Sequence, residues 1–177
     1  MKSFSVYSDA SFNGQLQLAV SGVLILDDAE INSPSSDCER LVHIQQFKEI
    51  NNIRAELRGI LFAFEEINRR LGEIRIPASK YIKINLYTDC QTVSNLLERR
   101  ARLESLNFKN KKNVTLANAD LYKVFYQYND QFNPNIIWLK GHVSVARRAQ
   151  NNHYFGLVDK MVRCRLRASL RAVNCSN

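Results

Sequence analysis

Four acidic residues differ from the other carboxylates of the chain in where the residue pattern puts them: Asp9, Glu56, Asp89 and Asp159. Asp9 closes an alternating apolar–polar run, Phe4 to Asp9. Asp89 closes a second, Tyr81 to Asp89, in which Ile82, Ile84 and Leu86 alternate with polar neighbours. Glu56 falls in the first turn of a long amphipathic stretch, and Asp159 near the start of another. Carboxylates at strand ends and helix starts can converge on one edge of a sheet. Such a cluster is electrostatically unfavourable unless cations neutralise it. Hard oxygen donors with open positions suit Mg²⁺ or Mn²⁺. Singly, each acid has a plainer explanation: Glu56 as a favourable charge at a helix N-terminus, Asp9 and Asp89 as turn residues. The four in this order are far more specific than any one.

The elements that must position these acids can be read from periodicity. Phe4–Asp9 predicts a first strand, Phe12–Gly14 a turn, and the Val, Leu and Ile of Leu16–Leu26 a second strand. Asp27–Asp37, with Asn-Ser-Pro-Ser-Ser at its centre, predicts a loop, and Leu41–Phe47 a more exposed third strand. Leu57, Ile60, Leu61, Phe64, Ile67 and Leu71 form one helical apolar stripe, bracketed by Gly72 and Pro77. After the strand ending at Asp89, Thr92–Arg102 predicts a short helix running into a basic stretch, Phe108–Asn113. Leu121, Val124, Phe125 and Tyr128 mark a helix capped by Asn118 and broken by Pro134. Ile136–Lys140 is the last strand and Leu157–Val173 a basic terminal helix. Three consecutive strands predict an antiparallel meander, and the strand–helix–strand units add parallel strands. The expected architecture is a mixed five-stranded α/β sheet with helices on both faces. Neither a repeat nor a boundary interrupts residues 1–177, so one domain is expected.

Six segments, in order, resemble the successive signatures of type 1 ribonuclease H. They are Tyr7-Ser8-Asp9-Ala10-Ser11, Asn52-Ile53-Arg54-Ala55-Glu56-Leu57, Tyr87-Thr88-Asp89-Cys90-Gln91, Asn118-Ala119-Asp120-Leu121-Tyr122, Leu139-Lys140-Gly141-His142 and Val158-Asp159. The resemblance spans nearly the whole chain and implies a ribonuclease H-like fold. It also implies an activity, hydrolysis of the RNA strand of an RNA–DNA hybrid. On that resemblance Asp9, Glu56, Asp89 and Asp159 match four metal-binding carboxylates holding two divalent ions about 4 Å apart. His142 matches a mobile histidine serving proton transfer or product release, although taken alone it is an ordinary loop histidine. Asn52 and Gln91 match residues that contact the minor groove, where the 2′-hydroxyl distinguishes RNA from DNA, and Ser11, a further substrate-binding match, follows the first acid as the family's serine does. Asn52 reads equally well as a helix cap. Arg99, Arg100, Arg102, Lys109, Lys111 and Lys112 occupy the place of a basic handle that grips the duplex, against the plainer reading of a solvated charged face.

The chain also departs from that family's pattern. Ala10-Ser11-Phe12-Asn13-Gly14 lacks the usual glycine-rich turn, and the segment from Asp9 to Glu56 is longer than usual. Between His142 and Asp159 the chain is also long, with Tyr154-Phe155-Gly156-Leu157 approaching the last acid. Asp120 is a rival acid by type, but its Asn-x-Asp-Leu setting reads as a helix start.

Composition is compatible with this picture. The chain has 177 residues, 45% hydrophobic and 24% charged, with few Gly or Pro, which suits a globular domain rather than a linker or disordered tract. A formal net charge of +8 favours polyanionic partners. No stretch approaches the roughly 18 apolar residues that span a bilayer, and no secretory signal opens the chain. Cys38, Cys90, Cys164 and Cys175 show neither a CxxC pair nor zinc spacing and read as free thiols of a reducing compartment. A cytoplasmic monomer is expected. The competing functions are a ribonuclease H-like module that binds nucleic acid without cutting it, a DNA nuclease of the same superfamily, and a basic scaffold within a larger complex, which no residue positively supports. The intact set of four acids argues against the first. Asn52, Gln91 and Lys140-Gly141-His142 argue against the second.

Overall fold

A computed structural model describes residues 2–32, 35–72, 81–139 and 150–174. Strand β1 (Lys2–Asn13) is at the centre of the sheet, and its residues from Phe4 to Ala10 are all buried. A tight turn, with Gln17 in the left-handed region (φ 50°), returns the chain into β2 (Leu18–Asp27), which pairs antiparallel with β1 from Phe4↔Asp27 to Asn13↔Leu18. A 3₁₀ turn (Glu30–Asn32) and a short helix α1 (Ser35–Leu41) lead to β3 (His43–Lys48), antiparallel to β2. Helix α2 (Asn52–Arg70) crosses over to β4 (Ile82–Thr88), which lies parallel to β1 on its other side. Helices α3 (Gln91–Ser94), α4 (Arg100–Ser105) and α5 (Ala119–Phe132) follow, then β5 (Asn135–Trp138), parallel to β4. Helix α6 (Gln150–Asn174) is the last described element. The strand order β3-β2-β1-β4-β5 is a meander extended by two parallel strands, as the order of elements predicts.

Strand alternation sends two apolar sets to opposite faces of the sheet. On one face, Phe4, Val6, Val23, Ile25, Ile84 and Leu86 meet the α2 stripe of Leu57, Ile60, Phe64 and Ile67, with Phe125 and Phe132 of α5 beside it. On the other, Tyr7, Val20, Leu24 and Leu26 meet Tyr154, Leu157, Val158, Val162 and Leu166 of α6. Helices therefore cover both faces.

Two glycines set how closely the helices approach. A Cβ on Gly22 of β2 would sit 2.5 Å from Val162 Cγ2 and 3.0 Å from Val158 Cγ1, so α6 rests on bare backbone there. A Cβ on Gly59 of α2 would meet Ser8 Oγ at 3.0 Å and Ser21 Cβ at 3.2 Å. The small residues of β1 and β2 admit α2 against the sheet at that point. Both close approaches flank the residues that carry the acids.

Several expectations from the sequence are corrected. The stretch Asp27–Asp37, read as a loop, contains the 3₁₀ turn and the start of α1. The single helix expected over Thr92–Arg102 is two helices, because Leu96 and Arg100 donate to carbonyls only three residues back and tighten the chain between them. That bend carries Val93, Leu96 and Leu103 together into the core. The terminal helix begins at Gln150 rather than Leu157. Tyr154 anchors the extra turns, packing on Tyr7 and donating its hydroxyl to the Ile31 carbonyl (2.9 Å). No described helix is long and apolar enough to cross a membrane.

Candidate active site

The parallel register of β1 and β4 places two acids side by side. Their last paired residues are Tyr7 and Tyr87, an offset of 80 (87 − 7), and the same offset carries Asp9 to Asp89, the residue that follows β4. Beneath them Tyr7 stacks on Tyr87, with ring centroids 4.8 Å apart and planes within 9°. Tyr154 of α6 leans on Tyr7 at 5.4 Å. The three elements carrying Asp9, Asp89 and Asp159 thus each contribute a tyrosine to one layer under the acids. Glu56 arrives from the opposite face, one turn before Gly59, where α2 lies tight on the sheet.

Carboxylate oxygens of Asp9, Glu56 and Asp89 all lie within 4.8 Å of one another. Asp159 approaches from α6, adding its charge and a side-chain hydrogen bond to Asp9 and pairing with Arg163 at 2.6 Å. Asp9 is 6% exposed and Glu56 2%. Burial, followed by the charges of Asp89 and Asp159, pushes the Asp9 carboxyl up to about 8. Burial, followed by Asp9 and Asp89, pushes Glu56 well above the usual carboxylate range, against the opposing pull of the Asn52 amide and the Ala10 backbone. Burial and then Glu56 raise the neighbouring Cys90 thiol to about 11, keeping it protonated. Oε2 of Glu56 is buried with no hydrogen-bond partner among the described residues. A buried oxygen without a donor, in a group of converging carboxylates, is costly in the bare protein and suited to a hard divalent cation. The donor set fits Mg²⁺ or Mn²⁺.

The remaining residues singled out in the sequence fall into three groups. Asn52 does not cap α2. Asn51 does, its side chain accepting the Arg54 N–H at 3.0 Å, and Asn52 instead donates to Glu56 Oε1 at 3.3 Å. Because the cap is Asn51 and the helix begins at Asn52, Glu56 is in the second turn and not the first, so a helix-dipole role does not account for it. Asp159 likewise lies well inside α6, which starts earlier than expected. Ser11 continues β1 two residues beyond Asp9, and Gln91 opens α3 two residues beyond Asp89, exposed. Lys140, Gly141 and His142 lie outside the described residues.

The basic stretch is divided by its pairings. Arg100 is turned back onto the protein: it pairs with Asp130 and with Glu104 (2.8 Å) and lies over the Tyr126 ring at 4.9 Å. Its charge is therefore shared with two carboxylates of the fold. Lys109–Thr115 closes a small turn whose Asn110 side chain accepts the N–H groups of Lys112 and Val114. Lys111 and Lys112 are exposed at its tip, and Lys109 donates to Asn113 at 3.1 Å. Arg99 and Arg102 are also exposed. Asn118 makes no side-chain cap of α5; it accepts from Asn51 (3.2 Å) and donates to Tyr122 (3.3 Å). Asp120 is excluded as a rival acid, since Arg54 binds both its oxygens at 2.7 and 2.9 Å and holds its carboxyl below the usual range. Glu49, buried, accepts from Arg54 and Arg58 and completes this brace at the start of α2. Neither Asn51 nor Glu49 stands out in the sequence: their signals are the adjacent Asn51-Asn52 pair and two arginines, Arg54 and Arg58, one turn apart.

A mixed sheet in the order β3-β2-β1-β4-β5, helices on both faces and acids just past the last paired residues of two adjacent parallel strands define a ribonuclease H-like fold. The RNase H family model matches residues 1–164, and the chain belongs to that family. Among solved structures, LC9-RNase H1, described as a type 1 RNase H with the type 2 active-site motif, is 20% identical with a TM-score of 0.59, over 90% of this chain and 72% of that one. The PFV RNase H domain is 15% identical with a TM-score of 0.58, over 90% of each chain. The foamy viral protease–reverse transcriptase solved with an RNA/DNA hybrid is 12% identical with a TM-score of 0.55; the match covers 90% of this chain and only 19% of that one. At such identities the likeness is one of fold. No curated protein matches the sequence significantly.

Proposed function

We propose that this protein is a metal-dependent endonuclease that hydrolyses the RNA strand of an RNA–DNA hybrid. The observation that carries the reading is the convergence of carboxylate oxygens of Asp9, Glu56 and Asp89 within 4.8 Å, with a buried Glu56 oxygen that has no donor among the described residues. A fold gains nothing by burying such a group except the capacity to hold cations. Family membership and the hybrid bound by a structural neighbour support the substrate.

In this reading Asp9, Glu56, Asp89 and Asp159 hold two Mg²⁺ ions, with Mn²⁺ as a substitute. Bound there, the cations supply an activated water and charge neutralisation at the leaving oxygen. The protein prepares the site in three ways. Asn52 holds one oxygen of Glu56 and leaves the other turned inward. Arg163 steadies Asp159 at the site's α6 side. The tyrosine layer fixes the spacing of the elements that carry Asp9, Asp89 and Asp159. Asp9, raised to about 8, must surrender its proton as metal enters, so loading strengthens as pH rises. Asn52 and Gln91 contact the minor groove, Ser11 the substrate beside the first acid, Arg99, Arg100, Lys109, Lys111 and Lys112 the duplex phosphates, and His142 moves a proton or assists release. The protein acts as a single-domain cytoplasmic monomer.

The test is cleavage of end-labelled RNA–DNA hybrid, dsRNA and dsDNA, each with Mg²⁺ or EDTA. Metal-dependent cutting confined to the RNA of the hybrid, leaving 3′-hydroxyl and 5′-phosphate ends, is expected. Cutting that survives EDTA, or equal cutting of dsDNA, refutes the reading. Hybrid binding without cutting would identify a binding module instead.

A further inference from the structure

Trp138 is the sole tryptophan of the chain and the last residue of β5, paired with Thr88 at the end of β4. It is 45% exposed, so burial of its ring does not explain its presence on this edge strand. Its one polar atom is committed: the indole Nε1–H donates to the backbone carbonyl of Asp89 at 3.1 Å. One residue on, the Leu139 N–H donates to the Thr88 carbonyl at 2.8 Å. The Cys90 N–H donates to Thr88 Oγ1 at 3.1 Å. These three bonds hold the main chain immediately before, at and after Asp89, where it leaves the sheet. Of the three, only the Trp138 bond reaches the peptide carbonyl of the acid itself.

We propose that Trp138 is a positioning residue for the metal site: its indole N–H fixes the Asp89 main chain, and through it the carboxylate, in the metal-binding arrangement. The proposal rests on the reading of Asp9, Glu56 and Asp89 as metal ligands. A misplacement of one ligand within a set of three or four weakens the hold on the cation without unfolding the sheet. Losing one neutral hydrogen bond corresponds to a roughly 3- to 10-fold loss of affinity. The exposed indole next to Asp89 also makes the protein its own reporter, because no other tryptophan contributes to the emission.

The experiment uses the full chain with Mg²⁺ or Mn²⁺ alone, without nucleic acid. Calorimetric titration of Trp138→Phe, which keeps a ring and removes the donor, is expected to show metal affinity reduced about 3- to 10-fold. Trp138→Leu should lose the same amount, since the donor and not the ring is what matters. Wild-type tryptophan emission should change with the same isotherm as the calorimetric signal and become flat in Asp89→Asn. Wild-type affinity in Trp138→Phe overturns the proposal, as does emission that ignores calorimetrically detected metal. The emission arm needs no Trp138 variant to fold. Because the readout is metal binding, weakened binding alongside a protein that never cuts hybrid would uphold the positioning role and refute the nuclease reading. Hybrid cutting with unaltered metal affinity in Trp138→Phe would do the reverse.

Discussion

Replacing Asp9 with Asn keeps the side chain's size and removes one charge from the acidic group, and the metal-free protein should become more stable for it. The Asp9 carboxyl is raised from 3.8 to about 8, first by burial and then by Asp89 and Asp159. A carboxyl raised on folding binds a proton that the unfolded chain releases. Its cost is absent below about pH 4, grows through the interval up to the folded value, and is complete above it. At pH 7 the interval already crossed is about three pH units, which at about 1.4 kcal/mol per unit sets a ceiling of about 4 kcal/mol. Asparagine escapes this cost, and its amide can donate where Asp159 hydrogen-bonds Asp9 now. A gain of about 1–4 kcal/mol at pH 7 is expected, which for a chain of this size raises Tm by about 2–4 °C per kcal/mol. The assay is thermal unfolding of both proteins in EDTA from pH 4 to 8. The advantage of Asp9→Asn should shrink steadily toward pH 4. Adding Mg²⁺ at pH 7 should stabilise wild type more than the variant, reversing part of the difference. Equal stability in EDTA at pH 7, or an advantage that does not depend on pH, would refute the view that Asp9 is held in the fold against its own charge.

Asp89→Asn should fold and lose almost all hybrid cleavage at saturating Mg²⁺, as should Asp9→Asn; near-normal turnover in either would displace it from the site. His142→Ala should slow single-turnover cleavage by about 10- to 1,000-fold, the range for losing a proton-transfer group, with hybrid affinity intact. Neutralising Arg99, Lys109, Lys111 and Lys112 should flatten the salt dependence of hybrid binding by roughly one unit for each phosphate no longer neutralised. Arg100→Ala should act through stability as well, because Arg100 is paired with Asp130 and Glu104. Gly22→Ala should cost about 1–3 kcal/mol through crowding of α6 and weaken metal binding by moving Asp159. Adding Val162→Ala, which removes the methyl 2.5 Å from the new Cβ, should restore part of both properties, a coupling that a double-mutant cycle measures.

The strands and the long helix were legible because each buries a face whose periodicity is written in one continuous segment. Leu57, Ile60, Phe64 and Ile67 announce α2, and Ile82, Ile84 and Leu86 announce β4, whatever they pack against. Elements whose form depends on distant partners were not legible. The early turns of α6 are stabilised by Tyr154 reaching Tyr7 and the Ile31 carbonyl, and nothing local to Tyr154 indicates either partner. The division between α3 and α4 depends on bringing Leu96 and Leu103 to one core, which their spacing alone does not dictate.

The acids show the same division between local pattern and tertiary consequence. Asp89 was legible as a strand end, whereas β1 runs four residues past Asp9 to Asn13 because β2 continues to pair with it there; only the pairing of Tyr7 with Tyr87 makes the two acids neighbours, and a slip of one residue would turn one of them to the other face of the sheet. Glu56 was legible as a helix residue, yet only the absence of a side chain at Gly59 lets α2 approach closely enough for it to join them. Similarly, Arg100 and the exposed Lys111 and Lys112 are alike as sequence but not as chemistry. Asp130, thirty residues away, takes the charge of Arg100 and none from the lysine tip. The composition shows how many cations the chain has, but only the tertiary pairing shows which are left for a polyanion. A basic run should therefore be counted as a binding surface only after its internal acids have been subtracted. By that measure the charge left for a polyanion in the proposed reading comes from Arg99, Arg102 and the turn at Lys109–Lys112, and not from α4 as a whole.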